Sequence, residues 1–124
     1  MQQPRGTTLV AGALTLSGIA HLARPQAFEP LIPPRLGNPT AWVYASGVAE
    51  LVGGAGLATR RPWAPAVSTA TLAVIWIGNV QMAADVQRSN RPAWQKAATW
   101  ARIPAQLPMM WAAWTSPVRP ARDA

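Results

Sequence analysis

Five polar side chains lie inside otherwise apolar stretches of this sequence, and their types could bind a ligand or move a proton. They are an acid, a base, an imidazole and two amides: Glu50, Arg102, His21, Asn79 and Gln106. A charged group at membrane depth costs at least about 2.5 kcal/mol, and such groups mark ligand sites and proton pathways. These five residues are therefore the candidate site.

Four apolar segments carry these residues, and each is long enough to form a membrane-spanning helix. They cover residues 7–23, 40–58, 66–84 and 97–114, and a bilayer core requires about 20 mostly apolar residues in a helix. A soluble bundle would show polar faces at a period of about 3.6 residues, which these segments lack. The sequence predicts an all-α, integral membrane four-helix bundle that forms a single domain over residues 1–124.

The composition agrees with this prediction and excludes several classes of site. The chain is 50% hydrophobic and 12% charged, with a net charge of +7. Its basic residues are spread over the segment ends, which indicates contact with lipid headgroups and not with nucleic acid. The absence of cysteine excludes disulfides and thiolate chemistry, and the single histidine leaves too few ligands for a metal centre. No metal site is therefore expected.

The connectors have distinct compositions. The first, residues 24–39, is rich in proline, and Pro33-Pro34 excludes a regular helix there, so we expect an interfacial loop. The tail from Ser116 is expected to be frayed. The tryptophans near the segment ends are typical of membrane interfaces: Trp42, Trp63, Trp94, Trp111 and Trp114. Equal numbers of cations flank the two sides, and we place both termini in the cytoplasm, as in a multi-pass protein of the cell membrane.

The five polar residues are predicted to lie at overlapping depths. Counted from the side of the first and third connectors, His21 lies about 3 Å deep, Asn79 and Arg102 about 8 Å, and Glu50 and Gln106 about 15 Å. Because an arginine side chain is long, we expect Arg102 to reach Glu50 and form an ion pair with it.

Small residues surround Glu50 on its own helix and predict close helix packing. Ser46, Gly47, Gly53 and Gly54 stand three and four positions before and after it, and small residues let neighbouring helices approach in membranes. Glu50 should therefore point into the bundle. Three interpretations remain open: a structural Glu50–Arg102 pair, a site that handles a ligand or a proton, and contact with another membrane subunit.

At these residues the sequence resembles the DoxX-like family of small membrane proteins. The resemblance implies a four-helix membrane bundle, and it matches the five polar residues named above to the family's polar positions. Gly78 departs from the family, where proline often precedes the asparagine. The resemblance rests on four motifs in the family's order: His21 with Pro25, Phe28 and Ile32-Pro33-Pro34; Tyr44-Ala45-Ser46-Gly47-Val48-Ala49-Glu50-Leu51; Gly78-Asn79-Val80-Gln81-Met82; and Arg102-Ile103-Pro104-Ala105-Gln106 followed by Trp111-Ala112.

The resemblance also implies two functions. Some relatives are linked with membrane redox complexes, including small subunits that resemble those of thiosulfate:quinone oxidoreductase. The first function is a non-catalytic accessory subunit that stabilises a larger membrane complex. The alternative is a quinone- or lipid-binding component of a membrane redox system, with Glu50 and Arg102 at the quinone headgroup. In both cases the chain is not expected to be an enzyme on its own. Its expected partners are the bilayer and another membrane protein or a second copy.

Overall fold

The computed structural model describes residues 4–32 and 36–120, and the regular structure within these ranges is entirely helical. It consists of four α-helices and two short 3₁₀ helices, which cover Pro25–Ala27 and Glu29–Leu31. The predicted all-α fold with four helices is confirmed. The α-helices are α1 (Arg5–Ala23), α2 (Pro39–Ala58), α3 (Ala64–Gln87) and α4 (Ala93–Trp114).

The helices extend beyond the predicted apolar segments. α3 continues to Gln87 where the prediction ended at residue 84, and α4 begins at Ala93 instead of residue 97. Main-chain hydrogen bonds continue a helix whatever the polarity of its side chains, so the polar connector is shorter than predicted. At α2 the boundary is set by a cap: the Asn38 side chain accepts hydrogen bonds from the amides of Thr40 and Ala41.

The bundle is closed, and its apolar core occupies the half that holds the chain ends. Each helix packs against the next in sequence, and α4 also contacts α1. α1 with α2 and α3 with α4 form the two closely packed pairs. The polar residues of the candidate site lie in the other half of the bundle. The core consists of Val10, Ala11, Leu14, Leu57, Ala64, Leu72 and Ala113.

Residues 115–120, which follow α4, pack against the rest of the bundle, whereas the sequence predicted a frayed tail from Ser116; the remainder of that tail lies outside the described residues. The Ser116 side chain is buried and its hydroxyl lies 2.8 Å from that of Thr7. The main-chain amide of Arg119 donates to the carbonyl of Arg60 over 2.8 Å. The sequence does not reveal these contacts because the partners of residues 116–120 are distant in the chain: one is in the first turn of α1 and the other is in the α2–α3 turn. The predicted break at Pro33-Pro34 and the flanking charges Arg35 and Arg122 lie outside the described residues.

Two of the helices, α1 and α3, are long and apolar enough to cross a membrane. The other two helices carry charged residues within their length: α2 contains Glu50, and α4 contains Lys96 and Arg102. α4 also contains two prolines, and each removes one main-chain hydrogen bond from the helix. By length and apolar composition, two of the four predicted spans, α1 and α3, could therefore cross a membrane.

Candidate functional site

α1 and α2 cross through glycines, and this close contact buries Glu50. A methyl group at Gly18 would lie 2.8 Å from the main-chain oxygen of Gly47, and one at Gly47 would lie 2.9 Å from the Cβ of His21. These separations are well below van der Waals contact, so only glycine permits this approach. Glu50, which follows Gly47 by one turn, is 1% exposed.

The other small residues around Glu50 contact different neighbours. A methyl group at Gly54 would lie 2.6 Å from the Thr15 hydroxyl of α1. One at Gly53 would lie 2.7 Å from the Ser68 hydroxyl of α3. Ser46 lines a small cavity of about 110 Å³ between the first connector, α2 and α3. Gly53 and Gly54 thus bring α2 against helices on both sides of it.

The Glu50 carboxyl lies against α1, and its basic neighbour is His21. The Glu50 Oε2 atom is 3.4 Å from His21 Nδ1, and Ser17 also interacts with the carboxyl group. The Oε2 atom has no hydrogen-bond partner although it is fully buried. The predicted Glu50–Arg102 ion pair is not formed: the α1–α2 crossing turns Glu50 towards α1, and Arg102 is exposed on α4.

His21 is held by two interactions that orient its ring. Its Nδ1 atom lies 2.7 Å from the main-chain oxygen of Ser17. Since a carbonyl oxygen only accepts, Nδ1 carries a hydrogen and donates it there. The ring also stacks on Phe28, with 3.9 Å between the centroids and 16° between the planes. Phe28 follows the first 3₁₀ helix, so the connector is part of the site's wall.

Asn79 and Gln106 join α3 to α4. The Asn79 amide nitrogen donates to Gln106 Oε1 over 2.7 Å, and Gln106 Nε2 donates to the main-chain oxygen of Leu72 over 2.6 Å. Gln106 is buried, and Asn79 is half-buried. This chain of hydrogen bonds satisfies the buried amide and sets the register of the two helices.

All five sequence-predicted polar residues line one cavity, which we call the main cavity. Its volume is about 380 Å³. Arg102 and Ala105 are exposed and both lie on α4, so the opening is at the α4 edge. His21, Phe28 and Asn79 also line the small cavity on the far side of the imidazole. The walls of the main cavity are mostly apolar: Ala13, Leu14, Leu72, Ile75, Ala105 and Met109, with Ser17 and Phe28 beside the predicted residues.

Two residues of this site were not among the predicted ones. Ser17 is four positions before His21, so the sequence places both on one helix face, and this spacing was the available signal. Phe28 stands in the connector, and only the tertiary structure brings its ring onto the imidazole. Neither residue adds an ionisable group to the site.

The chemistry that this arrangement supports is binding of a molecule with a polar head and an apolar body. The lining of the main cavity includes the deeply buried Glu50 and, at the opening, the exposed Arg102. Pockets of this kind, mostly apolar with a few placed polar groups, are typical of ligand sites. Within residues 4–32 and 36–120, no group of three or more metal-ligating side chains is present.

The chain was compared with known families, curated proteins and solved structures. A family model described as "Domain of unknown function (DUF8561)" matches residues 10–117. This range includes α2, α3, α4, all of α1 except its first five residues, and every residue of the site. No curated protein and no solved structure matches the chain. The comparisons do not support the DoxX-like resemblance, which stays a prediction.

Proposed function

The chain belongs to the DUF8561 family, and on that premise we propose, from the site itself, that it is a multi-pass membrane protein that binds the headgroup of a quinone or a lipid in the main cavity. The family description assigns no activity, so the proposal depends on the burial, charge and shape of the site. It has two parts, the membrane location and the ligand.

The membrane location is supported by the apolar side chains on the outside of all four helices. Leu9 and Leu16 of α1 are 72% and 71% exposed, Ile77 of α3 is 64% exposed and Trp111 of α4 is 69% exposed. In the 18-residue apolar stretch of each helix, only 28% of α1 and 17% of α3 is buried. A core helix of a soluble protein is instead mostly buried. So much exposed apolar surface is costly in water and favourable in lipid.

The ligand is supported by one observation above all: Glu50, whose buried Oε2 atom has no hydrogen-bond partner, is one of the residues that line the main cavity. Burying a polar atom without a hydrogen bond costs about 1–3 kcal/mol. A purely structural carboxylate would be paired, but the basic neighbour of Glu50, His21, lies 3.4 Å away and donates its Nδ1 hydrogen to Ser17. Arg102 is exposed and forms no ion pair with Glu50. The unmet hydrogen bond and the adjoining space together favour a binding site.

The opening of the main cavity suits an amphipathic ligand. Arg102 and Ala105 lie in the middle of α4, so in a membrane the opening faces lipid and not water. A quinone or lipid dissolved in the bilayer would enter from the side, with its headgroup between Glu50 and Arg102 and its tail along the apolar walls. A quinone bound in this way exchanges electrons with a partner enzyme, so the chain acts as one component of a larger system.

An accessory subunit without a ligand is the second candidate. The outer face of α4 favours it, because Leu107, Trp111 and Trp114 share this face and are 49%, 69% and 60% exposed, and aromatic residues are enriched in contacts between proteins. In this case the exposed aromatic face of α4 packs against another membrane protein or a second copy.

Purification in mild detergent distinguishes the two candidates. Mass spectrometry of the extracted lipids is expected to detect a stoichiometric quinone or lipid in the wild-type protein. The ligand should be lost in the Glu50→Gln and Arg102→Met variants. Asp85→Asn is the matched control, because Asp85 is an exposed acid at the end of α3 that lies outside the main cavity.

Two results would contradict ligand binding. The first is a stable co-purifying membrane protein without any bound small molecule, which favours the accessory subunit. The second is equal ligand content in the Glu50→Gln and Asp85→Asn proteins, since it would place the bound molecule away from Glu50.

A further inference from the structure

We propose that His21 recognises the headgroup of the ligand: its Nε2 atom accepts a hydrogen bond from a hydroxyl group, so the main cavity selects lipids with a free hydroxyl, such as monoacylglycerols. This assignment rests on the proposed function and adds the chemical class of the lipid headgroup. It follows from the contacts that hold the imidazole ring and from the ring nitrogen that they leave open.

The imidazole ring of His21 is held in one orientation by the protein. Its Nδ1 atom lies 2.7 Å from the main-chain oxygen of Ser17 and 3.4 Å from the Oε2 atom of Glu50. One face of the ring stacks on Phe28, with 3.9 Å between the centroids and 16° between the planes. Contacts at one edge and at one face leave the ring little freedom to turn, so a ligand meets a pre-organised group.

The Nε2 atom of this ring is an open acceptor. A neutral imidazole has one N–H group and one nitrogen with a lone pair, and the hydrogen bond of one nitrogen sets the state of the other. Because Nδ1 donates to Ser17, the lone pair of the neutral ring is on Nε2. Within residues 4–32 and 36–120, no group donates a hydrogen bond to Nε2. The His21 side chain is 13% exposed, and the fully buried atom of the His21–Glu50 pair is Oε2, not Nε2.

The main cavity and the small cavity meet at this ring. His21, Phe28, Ile75 and Asn79 line both of them, and their volumes are about 380 and 110 Å³. The amide nitrogens of this wall already have acceptors: Asn79 Nδ2 donates to Gln106, and Gln106 Nε2 donates to a main-chain oxygen. The hydrogen bond that Nε2 lacks is therefore one that a molecule in these cavities can supply.

Two other uses of this nitrogen fit the site less well. Metal binding would use the same lone pair, but a protein site supplies three or four ligands, and the described part of the chain contains no group of three metal-ligating side chains. Activation of a nucleophile would require a hydroxyl group at Nε2. The Ser17 hydroxyl instead lies 3.4 Å from Nδ1, the nitrogen that carries the hydrogen, so the ring cannot act as its base.

The remaining groups of the main cavity match the rest of a monoacylglycerol. The guanidinium group of Arg102 at the opening carries N–H donors and no acceptor, which suits the ester oxygens. The apolar walls, which include Leu14, Ile75 and Met109, suit the acyl chain. With its hydroxyl at His21, such a lipid places its ester nearer to Arg102 and its chain towards the opening.

The state of the ring can be measured directly because the chain contains a single histidine. The full chain, labelled with ¹⁵N-histidine, is placed in nanodiscs of phosphatidylcholine, which has no hydroxyl group. At about pH 8, where free imidazole is neutral, the Nε2 signal should be that of an unprotonated nitrogen. Monooctanoylglycerol should shift this signal towards the protonated value, and its dimethyl ether should not.

A displacement experiment measures the preference for the hydroxyl. A fluorescent monoacylglycerol is bound to the wild-type protein in the same nanodiscs and displaced by monooctanoylglycerol or by its dimethyl ether. The hydroxyl compound should displace it at a concentration at least about tenfold lower, a factor that corresponds to about 1.4 kcal/mol. Both concentrations are corrected for partition of the compounds into the bilayer.

Variants of His21 assign the preference to its Nε2 atom. His21→Asn keeps an amide donor on the side of Ser17, and His21→Phe keeps an aromatic ring against Phe28, but neither has an Nε2 atom. In both variants the two compounds should displace the fluorescent lipid equally. Asp85→Asn, which lines neither cavity, should keep the wild-type preference.

The outcomes separate this assignment from the proposed function. A protonated Nε2 atom at this pH, equal displacement by the two compounds in the wild-type protein, or an unchanged preference in both His21 variants would overturn hydroxyl recognition by His21 and leave the lipid site intact. Failure of the fluorescent lipid itself to bind the wild-type protein would overturn the lipid site.

Discussion

The Glu50 carboxyl group is deeply buried, and one of its oxygens has no hydrogen-bond partner. Its effect on the stability of the fold can therefore differ in sign from its effect on ligand binding. This carboxyl group gains little from the protein around it: His21 is 3.4 Å away and already donates its Nδ1 hydrogen to Ser17. A buried group of this kind is costly for folding and useful for recognition. Removing this carboxyl group should therefore not lower the free energy of unfolding, in contrast to most mutations of buried residues.

Replacing Glu50 with leucine should leave the free energy of unfolding unchanged or raise it by about 1–3 kcal/mol, since the variant removes an unsatisfied buried atom. Thermal unfolding in detergent, after removal of bound lipid, measures this change. Asp85→Asn serves as the reference for loss of one acid. A loss of more than about 3 kcal/mol would instead indicate a buried ion pair, as the sequence alone suggested for Glu50 and Arg102.

The Asn79–Gln106 hydrogen bond should couple the effects of mutating these two residues on the free energy of unfolding. Because it joins two helices over 2.7 Å, Asn79→Ala and Gln106→Ala should be coupled by about 0.6–1.7 kcal/mol, the range of hydrogen bonds between membrane helices. A double-mutant cycle of unfolding free energies measures the coupling. Replacing the more distant pair Asn79 and Thr59 provides the comparison, and additive losses for Asn79 and Gln106 would show that the bond does not form.

At the scale of the helices, the α1–α2 crossing positions both His21 and Glu50. Gly18 and Gly47 face each other at the crossing, and a methyl group on Gly18 would meet the main-chain oxygen of Gly47 at 2.8 Å. A main-chain atom in a helix cannot move away without displacing the helix. The crossing therefore links close packing to the geometry of the site.

Gly18→Ala should destabilise the protein by about 1–3 kcal/mol, the usual cost of overpacking, and should also weaken ligand binding. Gly12→Ala on the same helix is the matched control, because nothing lies within 4 Å of the added methyl group. Helix propensity predicts that this control gains up to about 1 kcal/mol. Equal unfolding temperatures for the two variants would contradict the close crossing.

At the scale of the whole molecule, the exposed apolar side chains and the four helices predict a protein that crosses the membrane four times. Both chain ends and the α2–α3 turn then lie on one side, and the first and third connectors lie on the other. The cations of the full sequence that flank the apolar segments divide equally between the two sides: Arg5, Arg60, Arg61, Arg119 and Arg122 on the first, and Arg24, Arg35, Arg88, Arg91 and Lys96 on the second. Their number does not set the orientation, and termini in the cytoplasm stay a prediction.

The absence of cysteine makes this topology directly testable. Single variants Pro62→Cys and Asn90→Cys place a thiol in the α2–α3 turn and in the α3–α4 connector, and both positions are exposed. In intact cells, a membrane-impermeant maleimide should label Asn90→Cys and spare Pro62→Cys, and lysis should expose both. Labelling of both before lysis would argue against crossing, as would release of the protein by carbonate without detergent.

The four helices, and the polar residues within their apolar segments, could be predicted from the amino-acid sequence alone. Long apolar segments predict helices because helix formation depends on local main-chain hydrogen bonds and local composition. Polar residues in such segments stand out individually, so His21, Glu50, Asn79, Arg102 and Gln106 could be selected without a structure, and all five line the main cavity.

Which of these five residues contact one another depends on the tertiary structure. Helix rise places Glu50 about 15 Å and Arg102 about 8 Å deep, a gap that a long arginine side chain could close. Contact also depends on how each helix is rotated about its axis. The glycine contacts of α1 and α2 set that rotation and turn Glu50 to His21, and they leave Arg102 at the cavity opening. The packing of the tail and of Phe28 was likewise hidden, because their partners are distant in sequence. Such contacts depend on distances of a few ångströms between helices, which local sequence patterns do not encode.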